Sequence, residues 1–264
     1  MKLNVAVYRF VDLDRLEELQ TRIDAAGRAL GLRGTVLLAP EGINLFASGD
    51  ADAITTFLAQ LAEDERLRDL PVKRSWSHTV AFDRWRVRVK KEIVTLRQPD
   101  IRPRDGRAAS IAPEDLDRWL QAGHDDDGRP LAIVDTRNQF EFEVGSFADA
   151  IDPGITSFSQ LPRALEPMRA DLAGKRIVTF CTGGIRCEKA VLYMERAGFE
   201  HVVQLDGGVL NWFERVGARH WRGDLFVFDK RVALDATLSP EVDGVAAARD
   251  TGDEHPSGAE ATAA

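Results

Sequence analysis

One short segment concentrates the reactive chemistry of this chain: Cys181-Thr182-Gly183-Gly184-Ile185-Arg186-Cys187-Glu188-Lys189. An apolar run over 176–180 reads as a strand that ends at Cys181. A helical pattern follows over about 187–197. A strand–loop–helix turn of this kind aims backbone N–H groups at the cysteine sulfur. The helix N-terminus adds partial positive charge, and Arg186 adds a full one. Each favours thiolate over thiol, so the pattern predicts a reactive Cys181 with a lowered pKa. A buried structural cysteine is the competing reading, since free cysteines are commonly buried. The paired glycines and the arginine favour the reactive one. Thr182, Gly183, Gly184 and Ile185 form the loop. Cys187 is near enough in sequence to resolve an oxidised or persulfidated Cys181, or to support the loop by packing. Glu188 falls in the first helical turn, where a carboxylate suits the helix dipole.

The elements around this loop read as two α/β units. In the first, 5–10, 34–39, 43–47 and 72–76 are strand-like, with helical spacing over 13–30 and from about 50 to 61. Asp12 is placed to cap the first helix, and Asp50 or Asp52 the second. Pro40-Glu41-Gly42 makes a turn between two apolar runs, hence a hairpin. The order β-α-β-β-α-β is that of the ferredoxin-like (acylphosphatase-like) fold. Residues 82–89 then alternate, with Trp85, Val87 and Val89 on one side and Arg84, Arg86, Arg88 and Lys90 on the other. That predicts a half-buried strand with a basic face, continued by Lys91. Residues 98–107 carry two prolines and a glycine and read as a linker.

The second unit alternates short apolar strands with helices. A helix opens at Pro113, strands cover 131–135, 176–180 and 202–205, and helical stretches lie within 157–169 and 209–216. Such alternation predicts a parallel sheet covered by helices. The resulting division is a ferredoxin-like domain over 1–97, a linker and helix over 98–125, and a parallel-sheet domain over 126–222. An extension over 223–238 and a tail over 239–264 follow.

Composition narrows the class. With 264 residues and 44% hydrophobic content, the chain can build two cores. It has no apolar run long enough to span a membrane and no signal-peptide pattern at its start. Two cysteines make no disulfide framework, so a cytoplasmic protein with reduced thiols and no membrane association is expected. The net charge is −8, but it is unevenly placed. Residues 66–107 hold 13 Lys/Arg against 5 Asp/Glu, a balance of +8. Residues 239–264 hold 6 Asp/Glu and one Arg, a balance of −5, and read as a disordered acidic tail. The basic segment suits a polyanion, or is simply a solvated face. No metal site is expected. The cysteine pair lacks partner ligands, and His78, His124, His201 and His220 are scattered. No dinucleotide-binding glycine motif, two-His-one-carboxylate set or haem motif is present, so no cofactor is identifiable.

The loop spacing supports a resemblance. Four residues separate Cys181 from Arg186, one fewer than in protein tyrosine phosphatases, and this resembles the loop of rhodanese-like domains, which surrounds a cysteine persulfide. Asp135-Thr136-Arg137 with Glu141, and Leu205-Asp206-Gly207-Gly208-Val209-Leu210-Asn211-Trp212, resemble the early and late segments of that fold. A narrower resemblance covers about 5–234. Gly34 to Asn44, Arg86 to Thr95, the Cys181 loop and Phe226 to Val232 look like the bacterial tRNA uridine-34 hydroxylase family. It implies hydroxylation of the wobble uridine at C5, with O2 as co-substrate and an unidentified electron donor. A rhodanese-type sulfurtransferase passing sulfur from a Cys181 persulfide is the alternative. Some family members carry a cysteine-rich C-terminal region, whereas residues 239–264 contain no cysteine. Under this resemblance Cys181 and Arg186 are the catalytic candidates, and Cys181 acts as nucleophile, carrier or positioning group. Arg84, Arg86, Arg88, Lys90 and Lys91 would meet phosphates near the tRNA anticodon loop. Trp76 or Trp85 could stack on a base splayed from that loop, although a tryptophan in such a strand more commonly belongs to the core. Glu41, Asn44, Asp135 and Arg137 are candidates for the substrate cleft, with Glu41 and Asn44 alternatively shaping the hairpin turn.

Overall fold

The computed structural model describes residues 1–238. The expected acidic tail, 239–264, lies outside the described residues. Five strands form the first sheet: β1 (Lys2–Phe10), β2 (Arg33–Ala39), β3 (Gly42–Gly49), β4 (Lys73–Ser77) and β5 (Trp85–Val89). Their order is β4-β1-β3-β2-β5. The first four pair antiparallel, with α1 (Leu16–Ala29) and α2 (Ala51–Leu61) inserted as a ferredoxin-like fold requires. β5 adds to the edge, parallel to β2. Helix α1 starts later than the spacing suggests, behind a left-handed Arg15, so Asp12 does not cap it. Asp50 holds the N-cap position of α2, yet its carboxylate accepts from Lys2 at 2.7 Å and makes no cap bond.

Strand alternation divides the sheet into two faces. Leu3, Val5 and Val7 of β1, Leu45 and Ala47 of β3, and Trp85 and Val87 of β5 pack with Ile23, Ile54 and Phe57 of the helices. Trp85 lies so close to Gly27 of α1 that a Cβ there would collide with the indole. The opposite face carries Ala6, Tyr8, Asn44, Phe46, Lys73 and Ser75, and it turns toward the second domain. Register puts Arg86 and Arg88 on this same face. Arg86 lies beside Thr35, which neighbours Phe46, then Ala6, then Lys73; Arg88 begins the adjacent row through Leu37 and Asn44 to Tyr8.

The second domain runs β6 (Ser110–Ile111), α3 (Pro113–Ala122), β7 (Leu131–Asp135), α4 (Gln139–Val144) and β8 (Gly145–Phe147). It continues with α5 (Leu161–Leu165), α6 (Arg169–Leu172), β9 (Arg176–Phe180), α7 (Ile185–Arg196), β10 (Val202–Leu205) and α8 (Gly208–Arg215). Strands β6-β10-β9-β7 form a parallel sheet, as the alternation of strands and helices predicts. Two departures have local causes. The helical stretch within 157–169 is broken into short turns, because Pro162 and Pro167 interrupt the hydrogen-bond ladder. Helix α7 begins at Ile185, two residues before the apolar pattern announces it, because Gly184 turns left-handed (φ 100°) and starts it. Residues 98–107 lie against the second domain: Ile101 within them, and Leu96 and Ala108 on either side, are buried in the second core. The chain then returns through β11 (Trp221–Gly223), paired with β8, and a hairpin of β12 (Leu225–Phe226) and β13 (Ala233–Leu234).

Lys189 of α7 ties the two domains. It is buried, and its ammonium donates to Glu41 at 2.9 Å, to Glu92 at 2.7 Å and to the Val94 carbonyl at 3.0 Å. Glu41 also accepts from the Ile93 N–H, and Glu92 from the Leu96 and Arg97 N–H groups. The hairpin turn is thereby bound to the helix that follows the cysteine loop. Lys189→Met should leave both carboxylates uncompensated. Because these are partly exposed, the loss should be at or below the roughly 3–5 kcal/mol typical of breaking a buried pair. Urea unfolding of the variant would show it as a lower midpoint.

Candidate active site

Strand β9 delivers Cys181 to the mouth of the parallel sheet, and the residue is fully buried. Two neighbours shape the loop. The Val209 and Leu210 N–H groups at the start of α8 bond to the Cys181 and Thr182 carbonyls, each at 3.0 Å. With those carbonyls held outward, the loop's N–H groups turn inward, and Gly184 N–H donates to Cys181 Sγ at 3.1 Å. Gly208 permits the close approach: it has φ 65°, and a Cβ there would stand 2.9 Å from the Thr182 oxygen.

The electrostatics favour thiolate. Burial pushes the Cys181 pKa up, but it is outweighed by the Cys187 thiol, the Arg186 charge, and the N–H groups of Cys187 and Arg186. The net result is a pKa lowered to about 5. Burial and the neighbouring Cys181 both push Cys187 up, so it stays a thiol and acts as donor. Cys187 also meets Thr136 Oγ1 at 3.5 Å. Arg186 reaches away from the sulfur to Glu141, in a two-pronged bond at 2.6 and 2.8 Å. Glu141 is fully buried, so the pair fixes the guanidinium as a stationary positive charge beside the loop. Glu188 is buried in the first turn of α7, with the Arg107 guanidinium at 4.0 Å.

Two residues that sequence reasoning misses come from the first domain. Lys73 of β4 bonds the Gly183 carbonyl at 3.2 Å and also the Gly207 carbonyl. Burial lowers its pKa to about 8, against the opposing pull of Cys181, Glu214 and Asp206. Tyr8 of β1 covers the loop closely enough that a Cβ on Gly184 would come within 2.9 Å of its hydroxyl. Burial, with Glu188 and Cys181 nearby, raises its pKa and keeps the phenol neutral. No local motif marks either residue; only the strand register aims them across the domain boundary.

Cys181, Thr182, Gly183, Ile185 and Arg186 line an interdomain cavity of about 680 Å³. The exposed face of the first sheet forms one wall, and the C-terminal extension, through Val227, Phe228 and Arg231, forms another. Thr182 Oγ1 is a buried hydroxyl in this lining with no partner among the described residues. Asn44 lines the cavity, while Glu41 is engaged with Lys189 on the other side of the hairpin. Asp135 and Arg137 are not part of this lining. Both are fully buried and paired at 2.6 Å, with Arg137 also bonded to the Gly145 carbonyl and Asp135 to Ser146. Their work is to join β7 to β8. Trp85 is in the first core, and Trp76 stands opposite Leu3 on the helix side, so neither faces the cavity. Arg84, Arg88, Lys90 and Lys91 are exposed or half-buried, as is Arg86, and none makes an ion pair among the described residues. Among those residues, no cluster of His, Cys, Asp and Glu is placed to hold a metal ion, and no helix is long and apolar enough to cross a membrane.

The fold and site define a rhodanese-like domain joined to an acylphosphatase-like domain. Residues 3–93 match the family model described as UPF0176 acylphosphatase like domain, and 112–215 match that of the rhodanese-like domain. The tRNA uridine(34) hydroxylase of Cupriavidus taiwanensis is 51% identical over 238 residues, covering 90% of this chain and 84% of that protein. That of Bordetella petrii is 52% identical over 238 residues, covering 90% of this chain and 94% of its relative. This chain belongs to the tRNA uridine(34) hydroxylase family.

The site makes a pH-dependent prediction. A thiol with a lowered pKa is protonated below that pKa and becomes the reactive thiolate above it. Alkylation of Cys181 by iodoacetamide should therefore rise through an inflection near pH 5 and level off by neutrality. Cys187→Ala removes a donor to the thiolate and should move the inflection upward, measured by mass spectrometry of the labelled peptide.

Proposed function

We propose that this chain hydroxylates uridine 34 of tRNA at C5, using dioxygen, with Cys181 as the covalent nucleophile. The observation that carries the reading is one of placement. A thiolate borders an interdomain cavity whose sheet wall runs, by strand register, into the row of unpaired cations at Arg86 and Arg88. Wobble uridine belongs to a single-stranded anticodon loop, and an unpaired base can be splayed into a pocket while phosphates lie along a basic face.

The chain's residues suit nucleophilic addition. The Cys181 sulfur forms a bond to C6 of uracil, and the C5–C6 π electrons move to C5 and O4 as an enolate. Lys73, a cation lining the same cavity, stabilises that developing charge. Thr182 supplies a hydroxyl to the base edge. The electron-rich C5 takes one oxygen atom from dioxygen, and the other leaves as water. A dithiol-class reductant supplies the two electrons and two protons. Loss of the C5 proton then expels the Cys181 thiolate and restores the ring as 5-hydroxyuridine.

Nucleoside mass spectrometry of tRNA incubated with the protein and a dithiol under air should show 5-hydroxyuridine, and Cys181→Ser should reduce it to background. Full activity of a folded Cys181→Ser variant would overturn the covalent role. A thiolated nucleoside in place of the hydroxylated one would favour a sulfurtransferase. Arg86→Glu with Arg88→Glu should weaken tRNA binding and lower its salt slope by about 0.7 for every single-strand phosphate that the protein no longer neutralises. Titration of affinity against salt concentration checks this.

A further inference from the structure

The aromatic cluster at the edge of the cavity has no part in the chemistry above. Phe228 is 54% exposed and Phe140 43%, although both lie in an otherwise well-packed region. Their rings and that of Phe226 pack edge to face: Phe140 to Phe226 at 5.0 Å, Phe226 to Phe228 at 5.1 Å, and Phe140 to Phe228 at 6.2 Å. Edge contacts hold the Phe228 ring from the side and leave over half of the residue uncovered. The loop carrying it is anchored. Asp229 pairs with Arg231, and Arg231 donates to Ser75 of β4 at 2.8 Å. Lys230 N–H donates to the Ala81 carbonyl at 2.8 Å. Phe228 is therefore a fixed, solvent-facing ring lining the same cavity as Cys181.

Its surroundings select the kind of partner. Lys73, on the cavity face of β4, and Arg107 line the cavity as well, and the Arg107 side chain is 86% exposed. A rigid aromatic surface among cations is the arrangement that binds single-stranded nucleic acid, by stacking on a base while cations meet phosphates. A protein partner would be expected to cover a larger apolar patch than this three-ring cluster. We propose that Phe228, buttressed by Phe140 and Phe226, is a stacking platform for an unpaired nucleobase that flanks the one entering the cavity. The inference rests on the RNA reading of the site and adds a subsite to it.

The test uses the full chain and a fluorescent RNA stem-loop with uridine at the wobble position. Phe228→Ala should weaken binding by between about fivefold and a hundredfold, the range for losing one base–aromatic stack. Phe228→Trp should restore affinity, whereas Phe228→Leu, apolar but without a π face, should not. Replacing single loop nucleotides by abasic ones should reveal one position beside the wobble uridine where wild type and Phe228→Ala bind equally. Wild-type affinity in Phe228→Ala, or full rescue by Phe228→Leu, overturns the platform. So does light scattering that shows a self-association abolished by Phe228→Ala while RNA affinity is unchanged. If the wild-type protein makes no 5-hydroxyuridine yet binds RNA in a Phe228-dependent way, the hydroxylase reading fails and the stacking subsite stands.

Discussion

A thiolate held out of water is the most demanding feature of this molecule, and the second domain is arranged around satisfying it. Burial alone would raise the Cys181 pKa, and the opposite result needs several compensating groups at once. They come from different levels of structure. The N–H groups belong to the loop and the first turn of α7, the donor thiol is Cys187, and the positive charge is Arg186. Arg186 is itself buried and needs a counter-ion, which is Glu141 on α4. Glu141 in turn accepts the Asn138 N–H at 3.1 Å. One charge at the end of β9 thus dictates the partners of two helices.

The cavity beside that sulfur is a product of assembly. Neither domain encloses it alone. Lys189 brings the hairpin of the first domain against α7, Lys73 bridges to the Gly183 and Gly207 carbonyls, and the C-terminal hairpin closes back onto β4 through Arg231. These contacts are polar and local, while the apolar cores of the two domains remain separate clusters. The joint is therefore held by a small number of directional bonds between two independently packed bodies. Such a joint suits a site that must admit part of a large substrate.

The first domain gives the site its direction. In a sheet, one face buries against helices and the other is available, and β5 places Trp85 and Val87 on the first and Arg86 and Arg88 on the second. The basic row and the cavity wall are continuous because strand register carries one into the other. A one-residue slip of β5 would bury the arginines and expose the tryptophan, so the core of the first domain indirectly orients the polyanion surface.

Much of this was legible in the sequence where the signal is local. The Cys181 loop, the hairpin at Pro40-Glu41-Gly42, the alternation of β5 and the strand–helix order all follow from spacing, turn residues and hydrophobic period. The helix start at Ile185 and the broken segment around Pro162 and Pro167 depend on a left-handed glycine and on proline geometry, which shift boundaries without changing the class of fold. Partnership across long separations left no such trace. Asp135 and Arg137 resemble a polar cleft pair when read along the chain, but they are buried against each other. Tyr8 and Lys73 carry no motif, yet they reach the cysteine loop from more than 100 residues away, as the Lys73 bond to Gly183 illustrates. Phe228 reads as one aromatic residue in a motif, and only the fold places it beside the cavity. The thiolate-favouring loop and the two domain types were therefore written into the residue order, because loop dipoles and side-chain periodicity act between near neighbours. The choice of side chains that surround the thiolate was left to folding, because those contacts depend on strand register and domain docking.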